Sequence, residues 1–282
     1  MAALRRAQPG LACEIVEFST RGDRDLEHPL PEIGGKGVFT AELEAALLTG
    51  RIALAVHSLK DLPTTPTPGL AVAAVLERAD PGAVLVSRSG RALADLGAGP
   101  AIGTSSTRRA AQIVMLRPDA RLLELRGNVQ TRVRKALAAD GPYDAIVLAA
   151  AGLERLGLAG AIVERFAPER LLPAPGQGAI ALQCRADGPE RALVARVNHA
   201  PTWAAVGAER AFLAGLEGGC SAPVAAYAHV DGEALALHGL VAAADGSRVL
   251  RFVRRGSPDR SEALGRAMAE EALRAGAAAL VG

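Results

Sequence analysis

Up to about residue 198, short apolar runs alternate with amphipathic stretches along the chain. This alternation is typical of strand and helix units that build a parallel sheet covered by helices. Half of the 282 residues are hydrophobic but only 3% are aromatic, so the core must consist mainly of Ala, Val, Leu and Ile side chains. Such side chains suit strands that are buried on both faces. The length allows two or three domains.

Two similar sets of elements are predicted in this part of the chain, separated by a turn at Asp80-Pro81-Gly82 that we interpret as a hinge. The first set has strands over 12–18, 52–56 and 70–76 and a helix over 40–49, which Gly50 closes as a C-cap. The second set has strands over 84–86, 101–103, 121–125 and 145–148, with helices from Thr107, Gln130 and Leu153. A turn-rich stretch over 172–179 and the apolar run 180–182 indicate where the chain crosses back between the two units.

The pattern changes after about residue 198. Strands are predicted over 229–231, 234–241 and 248–254, and they are joined at Asp231-Gly232 and Asp245-Gly246, dipeptides favoured in tight hairpins. A helix over 261–275 follows. We therefore expect a third, α+β unit with an antiparallel sheet.

The three cysteines show no CxxC spacing and no even framework, which argues against disulfides and for a reducing compartment. Neither a signal peptide nor a membrane span is predicted, so the cytoplasm is the expected location. Cys220 lies between paired glycines and a proline, in the run Leu216-Glu217-Gly218-Gly219-Cys220-Ser221-Ala222-Pro223. Two interpretations are open: a small buried hydrophobic residue, or a nucleophilic thiol at which something bulky is attached.

Positive charge is concentrated in one segment. The whole chain carries a formal charge of +2, whereas residues 101–140 hold eight basic residues against three acidic ones. This segment is a candidate anion site. Nucleic acid is a poor candidate for its ligand, because aromatic residues for base stacking are nearly absent from the segment and no known nucleic-acid motif appears. A small polycarboxylate or phosphate ligand fits better.

The run His57-Ser58-Leu59-Lys60-Asp61-Leu62-Pro63 directly follows an apolar run. Residues just past the end of a parallel strand line the usual binding crevice of an α/β domain. A carboxylate beside an ammonium would there stabilise a developing cation and move a proton. The alternative is a surface Lys60/Asp61 pair that contributes little. His57 is interpreted as structural.

A second candidate is the turn Gly103-Thr104-Ser105-Ser106-Thr107-Arg108-Arg109, where a strand leads into a helix. Free backbone amides and hydroxyls at such a helix start bind anions, and the two arginines add bidentate donors for carboxylates. The alternative is ordinary helix capping with solvated arginines. The run from Arg126 to Arg132 repeats the arrangement after the next strand.

The glycine-rich run 33–39 carries Lys36. It lacks the spacing of a nucleotide-binding P-loop. A flap over a crevice is the functional interpretation, and a plain loop is the alternative. No metal-ligand pattern appears in the sequence.

Seven motifs together carry a resemblance that no single one could carry. In chain order they are GGKGVF, AVHSLKDLPT, IGTSSTRR, LRGNVQTRV, YDAIVLAAAGLERLGL, LPAPGQGA and LEGGCSAP. The match runs from about Arg21 to the C-terminus. On these motifs the chain closely resembles the porphobilinogen deaminase family, whose members are also called hydroxymethylbilane synthases.

The resemblance implies a fold and a reaction. The fold class is α/β, with two α/β domains like those of bilobed binding proteins and a smaller C-terminal α+β domain with an antiparallel sheet. The implied domains are 1–78 with 178–196, then 82–173, then 199–282. The implied activity is a transferase of tetrapyrrole biosynthesis that deaminates four porphobilinogen molecules and joins them head to tail into hydroxymethylbilane, acting as a monomer without nucleic acid or membrane.

The resemblance also implies roles for residues. Cys220 would hold a dipyrromethane cofactor through a thioether, and Asp61 would contact pyrrole nitrogens and stabilise the cationic azafulvene that forms when ammonia leaves. The carboxylate side chains of cofactor and substrate would be bound by a polar and basic set. Its members on the cofactor side are Lys60, Ser58, Thr104, Ser105, Arg108 and Arg109, and on the substrate side Arg126, Arg132, Arg155, Lys36 and Gln177.

One departure from the family pattern lies at the N-terminus. Family members begin with a strand and a helix that carry an Arg-x-Ser-type motif, and this chain starts about where that helix would end. We therefore expect the 12–18 strand to lack its inner neighbour. The alternative function is a noncatalytic or impaired bilobed carboxylate-binding protein. A third interpretation, a cysteine-dependent acyltransferase, requires a histidine base near Cys220, and the spacing of His199, His229 and His238 does not favour it.

Overall fold

A computed structural model of the chain describes residues 1–24, 37–216 and 223–281, apart from the side chain of Asp23. Lys36 and Cys220, and with them most of the glycine-rich run and the cysteine motif, lie outside the described residues. Within the described ranges the strands form three separate sheets. Each sheet takes its strands from one of the three units that the sequence predicts.

The strands are β1 (Ala55–Ser58), β2 (Leu70–Val75), β3 (Ala83–Ser87), β4 (Ala101–Gly103), β5 (Arg121–Leu123), β6 (Ala145–Ala149), β7 (Glu164–Phe166), β8 (Ile180–Arg185), β9 (Val224–Asp231), β10 (Ala234–Ala242) and β11 (Val249–Gly256). The helices are α1 (Ala2–Ala7), α2 (Arg21–Arg24), α3 (Ala41–Leu48), α4 (Thr107–Leu116), α5 (Val129–Leu137), α6 (Ala150–Arg155), α7 (Arg191–Ala195), α8 (Ala200–Gly215), α9 (Ser261–Arg274) and α10 (Ala278–Val281). Gly50, with φ +71°, follows α3 in the left-handed conformation that the predicted helix end requires.

The first sheet has the order β1-β8-β2, and both of its strand pairs are antiparallel. The prediction of a parallel sheet is therefore wrong for this unit. The central strand β8 follows the whole second unit in the chain and runs opposite to β1 and β2, an arrangement that the local pattern of strands and helices does not encode. The prediction that the chain crosses back before residues 180–182 is confirmed.

The predicted strand over 12–18 is also wrong. This segment is neither helical nor part of a strand, and its apolar side chains Ile15 and Val16 are 67% and 44% exposed. A strand needs a neighbour to bind its backbone N–H and C=O groups, and no strand of the described ranges pairs with these residues. Apolar composition alone does not supply that neighbour.

The second sheet is mixed and has the order β5-β4-β6-β3-β7. Strand β4 pairs in parallel with β5 and β6, whereas β3 is antiparallel to β6 and β7. Both faces are covered: Leu85, Ile102 and Ile113 belong to the apolar cluster of one face, and Val86 and Leu148 to that of the other. The parallel pairing of β5, β4 and β6 places their carboxyl ends at one edge of the sheet.

The C-terminal sheet has the order β11-β10-β9 and is antiparallel throughout, as predicted. Gly232 and Gly246 have φ of +62° and +73° in the two predicted turns. One face packs on α8 and α9 through a cluster that contains Phe212 and Met268. The opposite face contacts Leu172 of the segment that follows the second sheet.

The α/β fold class with a C-terminal antiparallel sheet is thus confirmed, whereas the exact domain boundaries stay a prediction. No helix in the described part of the chain combines the length and the apolar character needed to cross a membrane.

Candidate active site

Three basic motifs lie at the edge where β5, β4 and β6 end. Thr104 follows β4, Arg126 follows β5 after two residues, and α6, which ends at Arg155, follows β6 directly. Because the three strands are parallel, their following turns open on the same side of the sheet. The turns thus lie at one edge of this sheet, where the sequence analysis predicts a crevice.

The first motif opens α4. Ser106 is the N-cap, and its hydroxyl accepts a hydrogen bond from the backbone N–H of Arg109 at 3.4 Å. Thr104 and Ser105 precede the cap, and Thr104 Oγ1 accepts the backbone N–H of Ser106 at 3.2 Å. Both Arg108 and Arg109 are only 6% exposed. The alternative of solvated arginines beside an ordinary cap is therefore wrong.

The two buried arginines are held by backbone carbonyls. Arg108 Nη1 donates to the carbonyl of Leu172 at 2.8 Å, and Arg109 Nη1 donates to that of Val147 at 3.1 Å. The Nε of Arg109 is buried and makes no hydrogen bond to any described residue. A guanidinium has five N–H donors and no acceptor, so Arg109 retains donor capacity for an anionic ligand.

The second motif opens α5 in the same way. Asn128 is the N-cap and its Oδ1 accepts the backbone N–H of Thr131 at 2.9 Å. Arg132, one turn into the helix, donates from Nε to the carbonyl of Gly127 at 2.6 Å. This bond fixes the Nε side of the guanidinium, which therefore lies at the helix start, at the edge of the sheet.

Two segments of the chain connect the first and second sheets, one between β2 and β3 and one between β7 and β8, and they run antiparallel to each other. Leu76 N donates to Ile180 O at 3.0 Å, and Ala79 N donates to Gly178 O at 3.2 Å. Gly178 has φ +86°, and a Cβ there would lie 2.5 Å from the carbonyl oxygen of Ala79. Only glycine fits this close approach. The chain therefore passes between the units at one place, beside the basic motifs.

Gln177 and Arg155 bind these connections. The fully buried amide of Gln177 donates from Nε2 to Pro81 O at 2.6 Å and to Gly82 O at 3.2 Å, and its Oε1 accepts Arg109 Nη2 at 3.1 Å. Arg155 Nη2 donates to Gly178 O at 2.7 Å. Gln177 thus has its amide group committed to the protein, and its action on a ligand would pass through Arg109.

The acidic part of the site lies on the first sheet. Ser58 is the exposed end of β1, and the single 3-10 turn Leu59–Asp61 follows it, with Lys60 half-buried and Asp61 exposed. His57 is buried, and its Nε2 lies 2.9 Å from Gln183 Oε1 on β8. Burial lowers the pKa of His57. The prediction that His57 is structural agrees with this arrangement.

The charges of Lys60 and Asp61 on the first unit and those of the basic motifs on the second unit act on one another. Burial lowers the pKa of Lys60 to about 8, Asp61 opposes this shift, and a group of three cations adds to it: Arg109, Arg108 and Arg132. Burial also lowers the pKa of Arg109 to about 10, with Arg132 acting in the same direction and Asp61 against it. The pKa of Arg108 falls well below its ordinary value, again chiefly through burial.

Asp61 is the anion shared by these cations. Burial, followed by the charge of Arg126, lowers the pKa of Arg132, and Glu124 and Asp61 oppose that shift. The charge of one exposed carboxylate therefore acts on Lys60, Arg109 and Arg132. The cations outnumber the acids that act on them, so the site has an unmet demand for negative charge, which a ligand with several carboxylates would satisfy.

Three residues that the sequence analysis did not identify hold this arrangement. Arg210 of α8 donates to the carbonyls of Leu62 and Pro63 at 2.8 and 2.6 Å, directly after Asp61. Its neighbour Glu209 is fully buried and forms a bidentate pair with Arg78, at 2.6 and 3.1 Å. A charged pair within the apolar run of α8, Glu209-Arg210, was the only sequence signal for these contacts.

Glu209 also accepts two backbone N–H groups, from Gly176 at 2.7 Å and from Ala228 at 2.8 Å. Arg78 Nε in turn donates to the carbonyl of Gln177 at 2.9 Å. One carboxylate thereby ties both connections between the sheets to β9. These contacts lie behind the basic motifs and fix their relative positions.

Six of the predicted site residues influence one another through their charges: Asp61, Lys60, Arg108, Arg109, Arg126 and Arg132. Two more, Gln177 and Arg155, are held by hydrogen bonds at the segments that connect the two sheets. Lys36 and Cys220 lie outside the described ranges. The segment that holds Cys220 begins after Leu216 and ends before Pro223, both of which are buried. Among the other cysteines, Cys184 is fully buried and burial raises the pKa of its thiol, whereas Cys13 is partly exposed.

Two family models match the chain. Residues 1–192 match the dipyromethane cofactor binding domain of porphobilinogen deaminase, and residues 203–274 match the C-terminal domain of the same family. Together they include all three sheets.

Curated relatives match over nearly the whole chain. The porphobilinogen deaminases of Roseiflexus sp. (strain RS-1) and Roseiflexus castenholzii are each 50% identical over 280 residues, which cover 99% of this chain and 91% of the relative. That of Moorella thermoacetica is 51% identical over 276 residues, 98% of this chain and 88% of the relative.

Proposed function

Because the chain belongs to the porphobilinogen deaminase family, we propose that it deaminates four porphobilinogen molecules and joins them into hydroxymethylbilane, a step of tetrapyrrole biosynthesis. The observation that carries this proposal is that the charge of Asp61 acts on Lys60, Arg109 and Arg132 alike. That group combines one carboxylate for a cationic centre with several cations for acidic side chains. No observation favours a noncatalytic carboxylate-binding protein.

The basic residues would bind the acidic side chains of the substrate. Porphobilinogen carries an acetate and a propionate group, so every added unit brings two negative charges. Arg109 has an unused buried Nε–H, and Arg132 stands at a helix start where an anion is stabilised further by the helix dipole. Bidentate binding by guanidiniums would fix the plane of each pyrrole ring relative to Asp61.

Asp61 would act on the breaking bond. When the C–N bond of the aminomethyl group breaks, its electron pair leaves with nitrogen as ammonia, and the pyrrole ring is left with positive charge. A carboxylate that accepts a hydrogen bond from the pyrrole N–H stabilises this charge most strongly at the transition state. The neighbouring Lys60, whose pKa is about 8, holds a proton at Nζ at neutral pH, and its positive charge favours the ionised form of the Asp61 carboxylate.

The residues present also suit the dipyrromethane cofactor of this family. A cofactor built from two pyrrole units carries carboxylates, and the cationic excess around Arg108 and Arg109 and the unused Nε–H of Arg109 match such a group. When bound, it supplies the pyrrole carbon to which the first substrate unit is joined. We propose Cys220 as its thioether attachment point, with Lys60, Ser58, Thr104, Ser105, Arg108 and Arg109 as its binding residues.

For the substrate, the proposed binding residues are Arg126, Arg132, Arg155 and Lys36, with Gln177 acting through Arg109. We further propose that the protein works as a monomer in the cytoplasm. The low cysteine content and the lack of a disulfide framework support a reducing compartment. Sedimentation at several protein concentrations tests the monomer.

The experiment that tests the function uses the three cysteines as matched variants. The parent chain, Cys13→Ser, Cys184→Ser and Cys220→Ser are expressed in cells that make porphobilinogen, and their intact masses are measured. We expect an increment of two pyrrole units on every protein except Cys220→Ser, and ammonia release from porphobilinogen only by the proteins that carry it.

Two results would contradict the proposal. An increment that persists in Cys220→Ser, or that disappears in Cys184→Ser, would place the attachment elsewhere. A loaded parent chain that binds porphobilinogen without releasing ammonia would support the noncatalytic alternative instead.

A further inference from the structure

The sheet face that turns toward the second unit carries three stacked rings outside the site described above. Tyr227 and His229 lie two residues apart on β9, and His238 lies opposite Tyr227 on β10. Side chains two residues apart project from the same face, and the ring centroids of His229 and His238 are 6.0 Å apart with planes 13° from parallel. The two imidazoles are therefore diagonal neighbours on one face of the C-terminal sheet.

A carboxylate from the other unit completes this group. Glu169 lies between β7 and the connection back to the first sheet, and one ligand atom each from Glu169, His229 and His238 lie within 4.8 Å of one another. Glu169 is exposed, whereas both histidines are partly buried. His229 Nδ1 is buried and has no hydrogen-bond partner in the described part of the chain. A buried imidazole nitrogen without a partner has a lone pair or a proton that remains to be satisfied.

Two of the positive charges near the group are already paired with acids. Arg78 lies over the Tyr227 ring, with its guanidinium carbon 5.6 Å from the centroid, and its charge is balanced by the bidentate contact with Glu209. Arg255, whose charge acts on His238, pairs with Asp231 at 2.9 Å. A third cation, Arg251, donates from Nη1 to the backbone carbonyl of Glu169 at 3.5 Å. The carboxylate of Glu169 is the acidic group that lies beside the two imidazoles, and it would attract a metal cation.

We propose that Glu169, His229 and His238 form a binding site for a divalent transition metal ion of the Zn²⁺ type. Two imidazoles and one carboxylate are ligands that Zn²⁺ accepts, and three protein ligands leave a fourth position for water. Bonds of about 2.0–2.2 Å to nitrogen and oxygen require the three ligand atoms to converge on one point. Glu169, being exposed, is the ligand free to move.

The ion would link two parts of the molecule. Glu169 belongs to the segment after the second sheet, and the two histidines belong to the C-terminal sheet. The metal would therefore hold the C-terminal unit against the second unit. The expected effect is stabilisation that grows with metal concentration, as for any ligand that binds only the folded state.

The test uses Co²⁺ as the probe, because its spectrum reports the ligand type. The cofactor-loaded full chain is titrated with Co²⁺ and then with Zn²⁺ as competitor. We expect ligand-field bands in the visible region without a thiolate charge-transfer band in the near ultraviolet, one ion per chain, and displacement by Zn²⁺. His229→Ala, His238→Ala and Glu169→Gln should each weaken Co²⁺ binding at least about 10-fold, the lower end of what is lost when a metal ligand loses its supporting contact.

Matched controls separate this site from unspecific binding. Glu233→Gln removes an exposed carboxylate from the β9–β10 turn, and His199→Asn removes an imidazole while retaining an N-cap acceptor for α8. Both should bind Co²⁺ like the parent. His238→Gln serves as a milder variant whose folding is checked by thermal melting.

Several outcomes would overturn the site: unchanged Co²⁺ affinity in folded His238→Gln and His229→Ala, a thiolate band in the parent spectrum, or no ligand-field bands at all. The result is independent of the proposed catalytic activity. With a chelator present, Glu169→Gln and His238→Gln should release ammonia from porphobilinogen at the parent rate.

Discussion

Gln177 Oε1 accepts a hydrogen bond from Arg109 Nη2 at 3.1 Å, while the Nε2 of the same amide binds the carbonyls of Pro81 and Gly82. A single fully buried side chain thus joins a cation of the site to the connection between the two units. The orientation of Arg109 and the position of that connection are therefore coupled.

The first prediction follows from this contact. Gln177→Met retains the volume but leaves the Pro81 carbonyl and the Arg109 guanidinium without their partner, so the free energy of unfolding should fall by about 1–3 kcal/mol. KM for porphobilinogen should rise, because Arg109 loses its fixed orientation. Urea unfolding and steady-state kinetics measure both effects. The exposed Gln8→Met is the control and should change stability by less than about 0.5 kcal/mol; an equal loss in both would contradict the role of Gln177.

The pKa of Lys60 predicts how stability depends on pH. Its folded value of about 8 lies below the ordinary 10.5, so the unfolded chain binds more protons between these values and the contribution of Lys60 to stability becomes more favourable as pH rises through that window. Lys60→Met should therefore be more stable than the parent below pH 8, and the difference should shrink as the pH approaches 10.5. Lys60→Arg, which keeps the charge, should not share this gain. Chemical unfolding at several pH values measures it.

The affinity for the substrate should depend on the protonation of Lys60 as well, but it should fall as the pH rises. Once Lys60 is deprotonated, above about pH 8, the site loses one positive charge, and the affinity for a pyrrole dicarboxylate should decline. Lys60→Arg should flatten this decline, because the ordinary pKa of arginine lies well above that of lysine. Calorimetric titration of cofactor-loaded protein with porphobilinogen in cold, short experiments compares the two. A decline of the same steepness in Lys60→Arg would assign it to another group.

Asp61→Asn should abolish most of the turnover and little of the binding. The amide preserves the shape of the side chain but cannot stabilise a cationic ring, and the loss of one well-placed electrostatic group lowers kcat by about 10²–10³-fold. KM should change much less. Asp140→Asn, at an exposed position after α5, is the control with unchanged kcat. Comparable kcat values for Asp61→Asn and the parent would remove Asp61 from the chemistry.

The Arg78–Glu209 pair makes a prediction about stability alone. Glu209→Gln leaves a buried guanidinium without its counter-ion and disturbs two backbone contacts, and breaking such a pair costs about 3–5 kcal/mol. Glu262→Gln, in an exposed pair with Arg266, should cost no more than about 1 kcal/mol. Denaturant midpoints of the two variants show the contrast. A small effect of Glu209→Gln would mean that the pair is dispensable.

Much of the fold was predictable because the local signals are strong. Both helix starts at the basic motifs follow from Ser106 and Asn128, whose side chains act as N-caps, and the hairpins of the C-terminal sheet follow from their Asp-Gly turns. The position of β8 was not predictable in this way. Its pairing with β1 depends on residues far away in the chain, and no local rule records it.

The residues of the candidate site also fall into those that the local sequence predicts and those that it does not. Lys60, Asp61, Arg108 and Arg109 could be identified because each follows a strand or opens a helix. Arg78, Glu209 and Arg210 could not, since their importance lies in contacts between units: Glu209 binds a side chain 131 residues away. Glu169, His229 and His238 likewise show no ligand spacing and come together only through the packing of two units.

The central position of β8 has a consequence for how the protein is made. His57 and its partner Gln183 are 126 residues apart, whereas every strand of the second sheet lies between them. During synthesis β1 and β2 emerge early but do not pair with each other, so their edges stay open until β8 arrives. The second sheet can form meanwhile from nearby strands, which are quicker to pair. The second sheet can thus be complete before the first, and the unpaired edges of β1 and β2 are open to aggregation until β8 pairs with them.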